Sequence, residues 1–406
     1  RWLNCGRPST WAIPCLKWSN MRVPCKSLHV GFALLLAACS AMAEVPHVRV
    51  RLFSGSNMTQ ILLSGASMEL VVYRGGESLM WERNAYQIRP GQGGVVVSVE
   101  GEADVAADSV AVSAAQPYYL VGARSTKRYL PGVLVIRPRS SAYLLAVNVL
   151  SMDDYLMGVV HAELGRLEHP QLWAAQAAVA RTWFARNQRK FFDQGECYAV
   201  TDDVQSQVYH GWPVDSARRA RLQAAVRETS GLVLVDEAGR GIEALFHANS
   251  GGQTMPSEWY FSPRGHLQSV PDSFSLNCPQ TYWTKSLDKE AFLTQMARWL
   301  KASSSDSEFR SFVCSYQQPV RAEYLNYQGQ KIRLRAIREH YKLRSTWFSI
   351  EDAGSTVVLR GRGYGHGIGL SQEGAHVMAQ KGYSAAQIMA FYYPGTQLVP
   401  WEAMQP

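Results

Sequence analysis

The sequence predicts an α+β protein in which a β-rich N-terminal half precedes a mixed helix/strand domain. Two observations carry this reading. Residues 48 to about 148 alternate short β-branched runs, such as Val95-Val96-Val97-Ser98-Val99 and Val133-Leu134-Val135-Ile136, with turns at Gly75-Gly76, Gly91 to Gly94 and Pro131-Gly132. From Asp153 onward the apolar period becomes that of helices in two consecutive segments. A 47% apolar composition over 406 residues is ample for a core and allows two or three domains.

Residues 1–43 read as a leader. The first twenty contain no Met, and Met21 opens an export-signal pattern: Arg22 and Lys26, an apolar run from Val30 to Ala38, and a small-x-small site at Ala41-Met42-Ala43. The apolar run is too short to span a bilayer comfortably. A competing reading makes Leu36-Ala37-Ala38-Cys39 a lipobox with Cys39 lipidated. Cleavage after Ala43 is preferred because strand-like sequence, Val48 to Phe53, begins almost at once. An exported protein, periplasmic or cell-wall associated and not transmembrane once its signal is removed, is therefore expected. The leader holds five of the 41 basic residues and no acid, so its removal leaves 36 Lys and Arg against 33 Asp and Glu. That balance gives no reason to invoke nucleic acid and suits a neutral or mildly anionic polysaccharide. Four of the seven cysteines also lie in the leader. Of Cys197, Cys278 and Cys314, the last two flank a helical stretch at 288–302 and are the expected disulfide pair.

Residues 44–148 are expected to form an accessory or docking domain, since no catalytic constellation appears there. A first core part, 149–261, opens with Asp153 to Glu163, where helical spacing places Glu163 beside Leu156, Val159 and Val160. A carboxylate on that stripe is partly desolvated, which raises its pKa and prepares it to donate a proton near neutrality. The next helix, Gln171 to Arg189, carries two apolar stripes, one with Trp173, Ala177, Ala180 and Phe184, the other with Leu172, Ala175, Val179 and Trp183. It is thus buried on most sides, and Arg181 within it needs a partner. Spacing alone leaves an acid/base site and a structural Glu–Arg pair equally open. A polar loop from Gln194 to Trp212, a helix from Ser216 to about Thr229 and a hairpin of Leu232 to Val235 with Ile242 to His247 follow. Residues 262–320 read as an insertion with one amphipathic helix and a Ser303-Ser304-Ser305 linker. The second core part, 321–406, holds a glycine-rich block and helices near Ser371 to Lys381 and Ser384 to Phe391.

At this point the sequence resembles the SpoIID/LytB family of bacterial cell-wall proteins. Tyr155-Leu156-Met157-Gly158-Val159-Val160-His161-Ala162-Glu163 is followed by Gln176-Ala177 and Ala180-Arg181-Thr182. Gln207-Val208-Tyr209-His210-Gly211, Ser250-Gly251-Gly252-Gln253-Thr254, Gly363 to Ala375, and Phe391-Tyr392-Tyr393-Pro394-Gly395-Thr396 come next in family order. The resemblance covers roughly residues 48 to 400. It implies a SpoIID-type catalytic domain, with Glu163 as catalytic acid/base and Arg181 as its neighbour in the cleft. Gln207 and Tyr209 are candidates to line a sugar groove, or are buried without function. Ser250, Gly251 and Gly252 read as a glycan-contacting or turn element, with His247 and Asn249 beside them. His366, between alternating glycines, is a metal ligand, a substrate contact or a structural hydrogen-bonder, and Ser371 and Gln372 join the substrate-binding candidates. Some family members carry a zinc site near the segment equivalent to Cys197 to Tyr209. Here Ser206 stands where a cysteine would be needed, so neither metal nor cofactor is expected.

The implied activity is a lytic transglycosylase acting on peptidoglycan glycan strands, leaving 1,6-anhydromuramyl ends. An ordinary glycosidase needs a second carboxylate flanking the bond, and Asp202 and Asp203 are the nearest candidates. The alternative is a non-catalytic glycan-binding enhancer of a cell-wall amidase.

Overall fold

The computed structural model describes residues 47–405; the leader, its cleavage site and Cys39 lie outside them. The chain divides into two compact units, one reaching to Glu163 and adding Asn187–Arg219, the other comprising Leu164–Arg186 and everything from Ala220 onward.

The first unit is built on strands β1 (Val48–Leu52), β2 (Ile61–Arg74), β3 (Glu77–Gly91), β4 (Gly94–Ser98), β5 (Val105–Ala107), β6 (Ser109–Ser113), β7 (Tyr118–Val121), β8 (Lys127–Leu130), β9 (Val133–Pro138) and β10 (Leu144–Leu150). A late strand, β11 (Val200–Thr201), completes the sheet in the order β11-β1-β10-β9-β6-β2-β3-β4-β5, with β7 pairing β2 and β8. All pairings are antiparallel except β1 with β11, where Val50 lies opposite Val200. Alternation fixes the register: Val48, Val50 and Leu52 are buried while Arg49 and Arg51 between them are not. Helix α1 (Met152–Leu164) follows β10 directly.

Helix α2 (Pro170–Asn187) buries thirteen of its residues, from Leu172 to Ala185, as its double stripe requires. Helix α3 (Ser216–Glu228) is next. In the second unit β12 (Leu232–Val235) pairs antiparallel with β20 (Gln397–Pro400), and β13 (Phe246–His247) pairs parallel with β19 (Leu370–Ser371). The expected hairpin is therefore corrected. Asp236 does close a turn by accepting from the amides of Ala238 and Arg240. Only the bridge Val235–Gly241 and the bond from Ile242 N to Leu234 O follow it, because on that edge of β12 the Leu234 amide donates to Thr182 Oγ1 instead of to the returning segment.

The segment read as an insertion carries two helices, α4 (Lys289–Leu300) and α5 (Ser307–Cys314), joined through Ser303-Ser304-Ser305. Both are capped, Asp288 accepting from Ala291 N and Asp306 from Phe309 N. They pack into a hydrophobic cluster running from Trp283 to Leu359. That cluster draws on β14 (Tyr282–Asp288), β15 (Tyr324–Tyr327), β17 (Phe348–Ala353) and β18 (Thr356–Arg362), on helix α6 (Leu334–Tyr341), and at its margin on β16 (Gln330–Arg333). Helices α7 (Gln372–Gln380) and α8 (Ala385–Tyr392) start at Ser371 and Ser384, the latter in a capping box.

The Cys278–Cys314 disulfide does not form: both are free thiols. The Cys278 thiol faces the carbonyls of Phe274 and Leu276, whereas Cys314 closes α5 inside the cluster with Phe309 and Val313. No helix among the described residues is long and apolar enough to cross a membrane.

Candidate functional site

Glu163 sits on the last turn of α1, on the stripe where Tyr155, Leu156, Val159 and Val160 are fully buried. Its carboxyl is half-buried, and Oε1 accepts one hydrogen bond, from the Val208 amide at 2.8 Å. Burial raises its pKa above the usual glutamate range, and the Val208 amide offsets only part of that rise. A carboxyl so placed keeps its proton to higher pH than an exposed glutamate, and its conjugate base keeps one fixed N–H.

The segment presenting Val208 is held on both sides. Gln207 is buried and its Oε1 accepts from Tyr155 Oη at 2.9 Å. Tyr209 is fully buried, stacks on Tyr155 with ring centroids 5.8 Å apart, and donates to Asn148 Oδ1 at 2.8 Å. Both candidates for a sugar groove are thus side chains that position Val208, and neither ring nor amide faces solvent. Gly158 makes this packing possible, because any Cβ there would be driven into the Tyr209 ring. Sequence reasoning missed it, although a glycine inside an apolar helical stretch signals a close approach.

Asp202 and Asp203 are committed elsewhere. Asp202, 4% exposed, accepts from Phe53 N at 2.6 Å, Ser54 N at 3.0 Å and Ser54 Oγ at 2.5 Å, and pairs with Arg128 at 2.6 Å. Asp203 accepts from Thr201 Oγ1 and Gln205 N and shares the single Ser54 hydroxyl proton with Asp202. Partial burial works to raise the Asp203 pKa, but these bonds together hold it below the usual range, opposite to what a water-activating base requires. Ser206, where a zinc-binding cysteine would stand, accepts from the Thr201 amide, lies 3.1 Å from the Thr201 hydroxyl, and so shapes the turn.

In the second unit Arg181 is fully buried, and its Nη1 donates to the carbonyls of Thr229 at 2.6 Å and Leu232 at 3.1 Å. It braces the turn between α3 and β12. Ser250-Gly251-Gly252 and the glycine-rich block come together there. Gly251, at φ +71°, has backbone of Arg362 and Gly363 where a Cβ would sit, and the bridge Asn249–Tyr364 joins the two segments. Ser250 and Ser371 are fully buried. Ser250 Oγ donates to Asp272 at 2.7 Å, and Ser371 Oγ accepts from Ser250 N at 3.2 Å while capping α7. These two serines hold the fold together rather than meet a ligand. Asn249 does the same, donating to Glu373 at 2.7 Å while taking the Gly251 amide.

The His366 ring accepts from Ile368 N at 3.0 Å, and His247 contacts Ile368 O at 3.1 Å. Burial, then Arg338, pushes His366 down to about 4, so it is neutral in ordinary buffers. Burial, then His366 and Arg321, carries His247 well below its usual value. Gln372 is buried, and its Nε2 has no hydrogen-bond partner.

A family model described as stage II sporulation protein, SpoIID, matches residues 140–235, the stretch that holds Glu163, Arg181 and Val208. The stage II sporulation protein D of Bacillus amyloliquefaciens is 30% identical over 267 residues, which is 62% of this chain and 75% of that protein. Its counterpart in Bacillus subtilis strain 168 is 30% identical over 267 residues and is covered to 76%. The amidase enhancer of Bacillus subtilis strain 168 is 27% identical over 300 residues, covering 61% of this chain but 40% of that larger protein.

Proposed function

The chain belongs to the stage II sporulation protein D family, and from that premise we propose that it is an exported peptidoglycan lytic transglycosylase with Glu163 as its single acid/base. What carries the reading is the half-buried Glu163 carboxyl, raised by burial and held by the Val208 amide. As the neutral acid it protonates the oxygen bridging N-acetylmuramic acid and N-acetylglucosamine, and the glycosidic bond breaks. The carboxylate so formed takes the proton of the muramyl 6-hydroxyl as that oxygen closes on the anomeric carbon. Glu163 is thereby restored and a 1,6-anhydro end is left. The intramolecular hydroxyl, at high effective concentration, replaces an activated water. The full engagement of Asp202 and Asp203 supports a one-carboxylate reaction. Arg181 enters as a positioning residue through the Thr229 and Leu232 carbonyls. The substrate lies outside the cytoplasmic membrane, so this activity goes with export.

The second reading, an enhancer that binds glycan and stimulates an amidase, is favoured by the likeness to the amidase enhancer. Peptide-free glycan strands incubated with the protein and analysed by mass spectrometry separate the two. We expect muramyl ends one water lighter than hydrolytic ends, and none with Glu163→Gln. Reducing muramyl ends would replace the transglycosylase with a hydrolase. Intact strands together with stimulated amidase would establish the enhancer.

A further inference from the structure

The first unit carries a cleft of about 620 Å³ on its sheet domain. One wall is the connection between β1 and β2, with Ser56, Asn57, Thr59 and Gln60; the other is the connection between β7 and β8, with Arg124 and Ser125. Leu62, 41% exposed, adds one apolar patch. Among the described residues no carboxylate lines the cleft. Among the described residues none of these six polar side chains has a hydrogen-bond or ion-pair partner.

Both walls are built under strain. Arg124 at φ +54° and Ser125 at φ +58° are consecutive left-handed residues without being glycine, and Phe53 at φ +53° begins the opposite wall. Such backbone persists only where its surroundings over-determine it. At Phe53 they do: its ring lies against Gly122 on one side and the Arg128 guanidinium on the other, 4.2 Å from the ring centroid. Beneath it the buried Asp202–Arg128 pair ties the β1–β2 connection to the segment that ends in Val208. The cleft is therefore pre-formed, and its volume lies within the range of about 300–1,000 Å³ typical of small-ligand sites.

We propose that this cleft is a second glycan subsite, binding N-acetylated sugars of the same strand. Hydroxyl and amide groups converge there to meet sugar hydroxyls and acetamido groups, Leu62 faces the acetyl methyl, and Arg124 takes a carboxylate where the sugar is an acid. The assignment of this ligand class rests on the function proposed above.

The test is isothermal titration of the full chain with two probes, a short N-acetylglucosamine oligomer and peptide-free muramyl strands. Glu163→Gln, which does not consume them, is compared with the same chain carrying Asn57→Ala and Arg124→Gly. Glycine suits the left-handed backbone at 124, so the variant keeps its fold. Losing a charge-assisted and a neutral hydrogen bond should weaken Kd tenfold or more. Unchanged affinity for both probes, or no binding of either by the parent chain, would overturn the subsite. Strand cleavage by the wild-type chain is scored in parallel. Cleavage with unchanged affinity sinks the subsite alone, whereas weakened binding without cleavage upholds the subsite and sinks the enzymatic reading.

Discussion

Asp202→Ala discriminates between a structural and a catalytic carboxylate. The substitution leaves the Arg128 guanidinium, on a residue 8% exposed, without its carboxylate, and the amides of Phe53 and Ser54 without their acceptor. Breaking a buried ion pair by removing one partner costs about 3–5 kcal/mol, and an orphaned buried amide about 1–3 kcal/mol, terms that overlap here. A loss of about 4 kcal/mol corresponds to roughly 8–16 °C in Tm for a unit of this size. Asp202→Asn keeps an acceptor for one of the two amides and should lose about half as much. Arg128→Met combined with Asp202→Asn should recover part of the loss, because no uncompensated charge remains buried. Thermal and urea unfolding of the two single variants and the double variant, read as a double-mutant cycle, gives the coupling directly. If Asp202→Ala costs less than about 1 kcal/mol yet abolishes strand cleavage, Asp202 is a second catalytic carboxylate and the reasoning fails.

Gly158→Ala places a methyl group in the Tyr209 ring and should cost about 1–3 kcal/mol by urea unfolding, with cleavage falling as Val208 shifts; wild-type stability would show that the ring has room. Because burial raises the Glu163 pKa, the acid is present below that pKa and lost as pH rises through it. Cleavage should fall along this alkaline limb, and Glu163→Gln should match the wild type in stability at low pH and exceed it at higher pH. His366 works in the opposite sense: with its folded pKa depressed to about 4, it contributes stability above about 6.5 that is lost as pH falls. His366→Gln should therefore flatten the acid limb of an unfolding-against-pH curve, and an unchanged limb would count against its burial as a neutral ring. Alkylation without reductant followed by peptide mapping should label both Cys278 and Cys314, whereas a disulfide-linked peptide would restore the pairing expected from sequence.

Much of this architecture is legible because it is periodic. The alternation of β1 and the double stripe of α2 are local patterns, and the structure follows them except at Trp183, which is only half-buried. The placement of Glu163 on a buried stripe is legible in the same way, since helical spacing sets it beside Leu156, Val159 and Val160. The unread features are contacts between segments distant in sequence. Pairing of β12 with β20 spans most of the second unit, and no turn residue at 236–239 can announce that Thr182, 52 residues earlier, takes the Leu234 amide. The donor to Glu163 is a backbone amide, which has no sequence signature at all. Gln207, Tyr209, Ser250 and Ser371 were picked out as polar residues within motifs. Burial makes them scaffold, and burial depends on what packs against them.

The parallel pairing of Val50 with Val200 also sets an order of events during synthesis. Strand β1 leaves the ribosome early, yet one of its two edges stays open until a strand some 150 residues later has been made. At about 5–20 residues per second that is a wait of roughly ten to thirty seconds. For about the last third of it β10, which pairs the other edge, can already be in place, while the loop presenting Val208 and the Asp202 brace do not yet exist. Ten strands of the sheet can thus be in place before Glu163 on α1 acquires its hydrogen-bond donor, and the second unit from Ala220 onward follows only after that.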